Sequence, residues 1–134
     1  MDAFFGSWTV VARENINEYM EALGMPPAMR EYLWNMKSGV IFSQDGDDII
    51  MKIKMYEASN RCFTLTFKLG QEFDESTLDF RVCKSVWNLE GGKLVHLQKW
   101  DDKENTSIYE IQDGKLILTL KFGDIVSVCT YERI

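Results

Sequence analysis

Very few side chains in this sequence could carry out covalent or acid–base chemistry. His96 is the single histidine, and the three cysteines, Cys62, Cys83 and Cys129, form no C-x-x-C pair. A zinc site needs several closely spaced ligands, and a histidine-based catalytic site needs a nucleophile beside the imidazole. Neither pattern occurs, and no G-x-S-x-G, P-loop or G-x-G-x-x-G motif is present. The sequence predicts a protein that is not an enzyme and that uses no metal or cofactor.

The closing segment, residues 125–134, indicates binding instead. Its sequence, IVSVCTYERI, is typical of a β-strand, in which side chains two residues apart share a face. Cys129 and Tyr131 are therefore predicted to point inward together and to line a space. No base or cation adjoins Cys129 in sequence to lower the pKa of its thiol, so we do not expect a reactive cysteine.

A second candidate lining lies in the segment Lys93–Trp100. Its even positions include His96 and Gln98 as well as apolar residues. A packed core rarely holds both polar groups, whereas a cavity with ordered water can. The alternative is a solvated outer face, but the odd positions carry two lysines and suit that role better. We expect His96 and Gln98 to face a cavity.

The element pattern that must position these residues is mostly β. Turn dipeptides such as Asp45-Gly46 and Asp113-Gly114 separate short apolar runs, as in a meander of hairpins. Closure into an up-and-down barrel removes the exposed edges of such a meander, and about ten strands enclose more space than their own side chains fill. The predicted strands span residues 5–13, 40–44, 49–56, 62–68, 72–74, 80–88, 93–100, 106–111, 115–122 and 125–133.

Two short helices interrupt the β pattern near the N-terminus. Asn15 is predicted to cap the first helix, with Glu18 completing a capping box, and Gly24 to end it. Pro26 and Pro27 are expected to open the second helix. We expect this helix-turn-helix to cap one open end of the barrel. The apolar stripe of the first helix comprises Ile16, Tyr19, Met20 and Leu23, and the apolar side of the second includes Met29, Leu33 and Met36.

Size and charge narrow the class of protein further. The 134 residues suit one domain, 1–134, and the net charge of −6 argues against nucleic acid as a partner. The odd cysteine count and the lack of an apolar leader favour a cytoplasmic protein with reduced thiols. A monomer is expected, with at most a transient membrane contact through the helical cap.

Several motifs together resemble one family. They are Phe5-Gly6-Ser7-Trp8, the segment 67–75 (FKLGQEFDE), the segment 91–101 (GGKLVHLQKWD) and the segment 113–120 (DGKLILTL). This set is similar to the intracellular lipid-binding proteins, the fatty-acid-binding proteins, and most of all to their heart/muscle branch. Met25-Pro26-Pro27 and the segment 123–128 are similar to the eel bilirubin-binding fluorescent branch. The resemblance implies an all-β, ten-stranded antiparallel β-clam, capped by a helix-turn-helix, that holds one apolar ligand.

The chain departs from that family at the ligand's headgroup. Muscle-type members of that family hold a fatty-acid carboxylate with an arginine on the eighth strand and an Arg-x-Tyr on the last. Here those positions read Tyr109 and Cys129-Thr130-Tyr131. Burying a carboxylate without a cation costs several kcal/mol, and a neutral tyrosine hydrogen bond offsets only ~1 kcal/mol. We therefore expect weakened fatty-acid binding, or a neutral ligand. Arg61 or Arg81 is a possible alternative cation.

The interpretation that results is an intracellular carrier of one hydrophobic small molecule, a fatty acid or related lipid, without the two-arginine clamp. The alternative ligands are a tetrapyrrole pigment or a retinoid in the same cavity, and a further alternative is a cavity packed shut by Tyr109 and Cys129. The helix pair is the expected portal. The predicted cavity lining is Tyr19, Leu23, Met36, His96, Gln98, Ser107, Tyr109, Leu118, Cys129 and Tyr131.

Overall fold

The described part of the chain contains ten strands and two short α-helices, as the sequence pattern predicts. The computed structural model describes residues 1–35, 37–55, 62–77 and 81–134. A single 3-10 turn, Asp2–Phe4, comes first. The elements are β1 (Gly6–Glu14), α1 (Ile16–Ala22), α2 (Pro27–Asn35), β2 (Ser38–Asp45), β3 (Asp48–Met55), β4 (Cys62–Phe67), β5 (Phe73–Ser76), β6 (Val82–Glu90), β7 (Lys93–Trp100), β8 (Lys103–Gln112), β9 (Lys115–Phe122) and β10 (Ile125–Arg133).

The strands form one sheet that curls into a nearly closed barrel. Its order is β4-β3-β2-β1-β10-β9-β8-β7-β6-β5, so the first strand lies between the second and the last. Every ladder is antiparallel. In the described ranges β4 and β5 end this order without pairing to each other. The prediction of a ten-stranded up-and-down barrel is confirmed, with one interruption in its wall.

The hairpin turns have the backbone geometry that their sequences predict. Asp113 and Gly114 both have positive φ, 52° and 77°, and so do Asp101 and Asp102, at 45° and 61°. Two consecutive residues of this kind match the twist of the flanking strands, and aspartate tolerates the left-handed region better than most residues. The meander therefore follows from local sequence.

Two strand boundaries differ from the predicted ones in a way that matters. The fifth strand spans Phe73–Ser76 rather than residues 72–74, so Glu75 lies inside it. The eighth begins at Lys103, and so includes Asn105. The predicted strand ends at Tyr56 and Phe80 lie outside the described residues.

The helices form where they are predicted, but the capping box is wrong. Asn15 adopts a left-handed conformation, with φ of 60°, and its side chain makes no capping hydrogen bond. Its Nδ2 instead donates to the carbonyl of Val126, at 2.9 Å. Because the left-handed turn directs the side chain toward β10, Asn15 ties the start of α1 to the barrel wall.

An aromatic cluster closes the end of the barrel opposite α1. Trp8 is fully buried, and its Nε1 donates to the carbonyl of Phe4, at 2.9 Å. The guanidinium of Arg133 lies 4.1 Å from the centre of the Trp8 ring and donates to the carbonyls of Ala3 and Phe5. At the other end α1 packs on β9 and β10. Neither helix of the described chain has the length and apolarity needed to cross a bilayer.

Candidate functional site

The inner faces of β7 and β8 carry the polar residues expected there. His96 and Gln98 are 5% and 6% exposed, while the alternate positions on β7 are more open. The ladder pairs His96 with Ser107 and Gln98 with Asn105. Because residues directly opposite in an antiparallel ladder share a face, all four side chains point into the barrel. His96 and Gln98 thus point inward, while their role as the lining of a ligand cavity stays a prediction.

A buried carboxylate that is absent from the predicted lining joins these residues. Glu75 of β5 is 7% exposed. Its Oε1 accepts hydrogen bonds from Ser85 Oγ at 2.6 Å and from Gln98 Nε2 at 3.2 Å. His96 Nε2 lies 2.9 Å from the same oxygen. An ionised carboxylate can only accept, so this imidazole nitrogen carries the proton.

The surroundings of Glu75 keep it ionised. Desolvation is the largest single influence and raises the pKa of the carboxyl group. The hydrogen bond and charge of His96, with the hydrogen bonds from Ser85 and Gln98, together outweigh it, so the pKa of Glu75 is lowered from its usual value. The β5–β7 side of the interior therefore holds an ionised carboxylate that is paired with His96.

The polar chain continues from Glu75 to the helical cap. Gln98 Oε1 accepts hydrogen bonds from Asn105 Nδ2 at 3.0 Å and from Arg81 Nη1 at 3.4 Å. Asn105 Oδ1 in turn accepts from the hydroxyl of Tyr19, on α1, at 2.6 Å. Tyr19, predicted as a lining residue, thus connects α1 through β8 and β7 to β5.

Three stacked rings line the interior beside Glu75. Phe67 and Trp87 have ring centres 4.2 Å apart at 7° between planes, and Trp87 and His96 are 3.9 Å apart at 10°. Trp87 is fully buried, and its Nε1 has no hydrogen-bond acceptor among the described residues. Buried donors are nearly always satisfied, so this N–H is an exception among the described residues.

Four residues on four adjacent strands form one row across the wall, which we call the clamp row. Cys129 of β10 pairs with Leu118 of β9, and Leu118 pairs with Tyr109 of β8. On its other side Cys129 pairs with Arg13 of β1. Tyr109 and Cys129 are the two positions at which the resemblance places an arginine. Both share this row with Arg13, which lies on β1 beside β10.

The tyrosines and the thiol near this row are neutral hydrogen-bonding groups. Burial raises the pKa of Tyr109 well above its usual value and also raises that of Tyr131. Burial likewise raises the pKa of Cys129, and the nearby charge of Arg13 offsets only part of this. The thiol is therefore protonated at neutral pH, which agrees with the expectation of an unreactive cysteine.

The structure gathers most of the predicted lining residues on the barrel interior. The buried ones are Tyr19, His96, Gln98, Ser107, Tyr109, Leu118 and Cys129, while Leu23 and Tyr131 are partly buried. Met36 and Arg61 lie outside the described residues. Contact of these residues with a ligand stays a prediction. Among the described residues, no group of His, Cys, Asp or Glu is placed to hold a metal ion.

Sequence reasoning missed several residues of this interior, among them Arg13, Glu75, Trp87 and Asn105. A signal existed for Glu75, because it lies two residues after Phe73 on a short strand and the two side chains therefore share a face. No local signal existed for Arg13. The ladder between β1 and β10 shifts register between Val10 and Ala12, and this irregularity turns Arg13 to the side of Cys129.

Comparison with known proteins agrees with this architecture. The sequence model of the Lipocalin / cytosolic fatty-acid binding protein family matches residues 5–133. The solved structure of fluorescent protein UnaG wild type is 41% identical, with a TM-score of 0.92, and covers 99% of this chain and 98% of that chain. A fatty acid-binding protein from the brain tissue of Drosophila melanogaster is 35% identical, with a TM-score of 0.88, covering 96% of this chain and 98% of that one.

A third neighbour is a Schistosoma mansoni fatty acid binding protein in complex with arachidonic acid. It is 29% identical, with a TM-score of 0.91, and covers 100% of this chain and 98% of that chain. The family match spans nearly the whole sequence, and the solved structures share the barrel and its helical cap. The chain belongs to the lipocalin and cytosolic fatty-acid binding protein family.

Proposed function

We propose that this protein is a non-enzymatic intracellular carrier that binds one hydrophobic small molecule, a fatty acid or related lipid, inside its barrel. The observation that carries the proposal is the divided interior. Hydrogen-bonded polar groups around Glu75 and Gln98 line the β5–β8 side, while Phe42, Met51 and Leu118 add buried apolar surface. A barrel of ten strands encloses more space than its side chains fill, and this mixed lining suits an amphipathic molecule.

The ligand is held mainly by apolar contact in this proposal. Tyr109 and Cys129 stand where the resemblance places two arginines, and both are neutral. Glu75 already accepts the hydrogen bonds of Ser85 and Gln98 and pairs with His96, so these groups are not available to a ligand carboxylate. Fatty-acid binding is therefore expected to be weaker than with two arginines, since each lost charged hydrogen bond contributes about 1.5–3 kcal/mol.

Ligand entry is proposed at the helical cap. A groove of about 900 Å³ lies where Ala22, at the end of α1, faces Phe122 and Gly123 at the β9–β10 turn. Opening there requires the helix to move, and the bond from Tyr19 to Asn105 resists that movement. We further propose a cytoplasmic monomer whose cap touches membranes only transiently when it exchanges ligand.

A tetrapyrrole or retinoid is the second candidate ligand. The rings of Phe67, Trp87 and His96 stack face to face into an aromatic column on the barrel interior, and the Trp87 N–H has no acceptor among the described residues. A planar pigment could pack against this column. The similarity to fluorescent protein UnaG supports keeping this candidate open.

Native mass spectrometry of delipidated protein tests the proposal. The protein is mixed separately with oleate, retinol and bilirubin, and the mass of each complex is recorded. We expect one oleate per chain, displaced by a second apolar ligand in competition. A complex with bilirubin alone, with new absorbance or fluorescence, favours the second candidate. Failure to form a one-to-one complex with any of the three contradicts the carrier proposal.

A further inference from the structure

Arg13 reaches the barrel interior only because β1 is irregular. Trp8 and Val10 pair with Arg133 and Tyr131, and simple alternation would continue the inward face through Ala12. The register shift between Val10 and Ala12 instead places Arg13 opposite Cys129. Since paired residues share a face, the guanidinium side of Arg13 belongs to the interior.

The contacts of Arg13 agree with that direction. Its Nη2 donates to Ser38 Oγ, at 3.1 Å, and Ser38 is 8% exposed on the same face of β2 as Val40 and Phe42. Its positive charge also acts on both Cys129 and Tyr131, where it lowers a pKa that burial raises. The cation therefore lies within electrostatic range of the hydroxyl and the thiol in the last strand.

Two other arginines of the described chain have contacts that hold them elsewhere. Arg133 donates to the carbonyls of Ala3 and Phe5 at the closed end of the barrel. Arg81 lies over the ring of Trp100, at 4.4 Å, and donates to Gln98 within the network of Glu75. Arg13 is the one whose ladder partner, Cys129, occupies an arginine position of the resemblance.

We propose that Arg13, with the hydroxyls of Ser38 and Tyr131, is the anchor for a carboxylate group on the apolar ligand. The cation of the clamp has moved by one strand, about 4.8 Å along the clamp row, from β10 to β1. A guanidinium offers a planar set of donors that matches a carboxylate. This inference rests on the proposed carrier function. The carboxylate could belong to a fatty acid or to the propionate of a tetrapyrrole.

Binding of paired acids and esters tests this role. The dissociation constants of oleate and methyl oleate, and of bilirubin and its dimethyl ester, are measured for the wild type, Arg13→Met and Lys52→Met. Lys52 is an exposed lysine on β3, so its variant removes the same charge from outside the barrel. We expect the wild type to prefer one of the two acids over its ester about tenfold. Arg13→Met should abolish that preference without weakening ester binding, and Lys52→Met should preserve it.

Moving the arginine back separates anchoring from a structural role. The double variant Arg13→Ser with Cys129→Arg returns the guanidinium to β10, and we expect it to regain the preference for the acid. Thermal unfolding of each variant shows which ones fold, and Arg13→Lys retains the charge if Arg13→Met does not fold. The proposal that Arg13 anchors the carboxylate is overturned if Arg13→Met still binds the acid more tightly than the ester. It is also overturned if Arg13→Met loses acid and ester binding equally. If the wild type binds neither acid nor ester, the carrier proposal itself fails.

Discussion

His96 Nε2 lies 2.9 Å from Glu75 Oε1, and each of the two side chains is 6% exposed. Ser85 and Gln98 donate to the same oxygen, so one carboxylate organises residues from three neighbouring strands. A buried charge pair contributes little net stability when it forms, but removing one partner leaves an uncompensated group. The stability of the short strand β5 therefore depends on partner residues in β6 and β7.

Glu75 should make the stability of the fold depend on acid pH. Its pKa is lowered in the folded state, whereas in the unfolded chain it returns to about 4.3. Its stabilising contribution is therefore complete above about pH 4.3 and is lost as pH falls through the lower folded value. Urea unfolding between pH 3 and pH 7 should show a smaller acid-induced loss for Glu75→Gln than for the wild type. Glu72→Gln, at an exposed position, is the control and should follow the wild type.

Truncation of the same residue should be costly at neutral pH. Glu75→Ala leaves the donors of Ser85, His96 and Gln98 without their acceptor, and we expect a loss of about 3–5 kcal/mol in the free energy of unfolding. Glu75→Gln should lose less, because its amide oxygen still accepts hydrogen bonds. Chemical denaturation at pH 7 measures both variants. A loss no larger than that of Glu72→Ala would show that the network contributes nothing.

Two substitutions of Trp87 separate its ring from its N–H group. Trp87→Phe keeps an aromatic ring between Phe67 and His96 and removes a donor that has no acceptor in the described chain. Loss of ring area destabilises the fold, whereas removal of an unsatisfied donor stabilises it. The free energy of unfolding should therefore change by less than about 1 kcal/mol. Trp87→Ala should cost about 3–5 kcal/mol, because it leaves a cavity. Similar losses in both variants would contradict this account of the N–H group.

The bond between Tyr19 and Asn105 should control opening of the helical cap. Tyr19→Phe leaves Asn105 Oδ1 without this donor, and we expect a loss of about 1–2 kcal/mol. Amide exchange in α1 and ligand dissociation should both become faster. Tyr109→Phe is the matched control for amide exchange, since its hydroxyl meets the weak acceptor Met51 Sδ at 3.9 Å. Equal amide-exchange rates for α1 in Tyr19→Phe and Tyr109→Phe would contradict the prediction that this hydrogen bond controls opening of the cap.

Much of the architecture follows from local sequence. Alternation on β7 is sufficient to direct His96 and Gln98 inward, and turn pairs such as Asp113-Gly114 mark where strands reverse. The helical period of residues 16–23 is also a local property. These features depend on residues that are neighbours in the chain. Side-chain periodicity and backbone preferences can therefore be predicted from the sequence.

The chemistry of the interior depends on partners that are distant in sequence. Arg13 faces inward because β1 shifts register against β10, more than a hundred residues later, and Asn15 bonds to Val126 for a similar reason. Glu75 is buried and ionised because β6 and β7 bring donors to it. The sequence by itself determined a ten-stranded barrel with a polar stripe and without the usual arginines. Only the tertiary structure decided where the charges lie, because strand register and burial are set by non-local pairing.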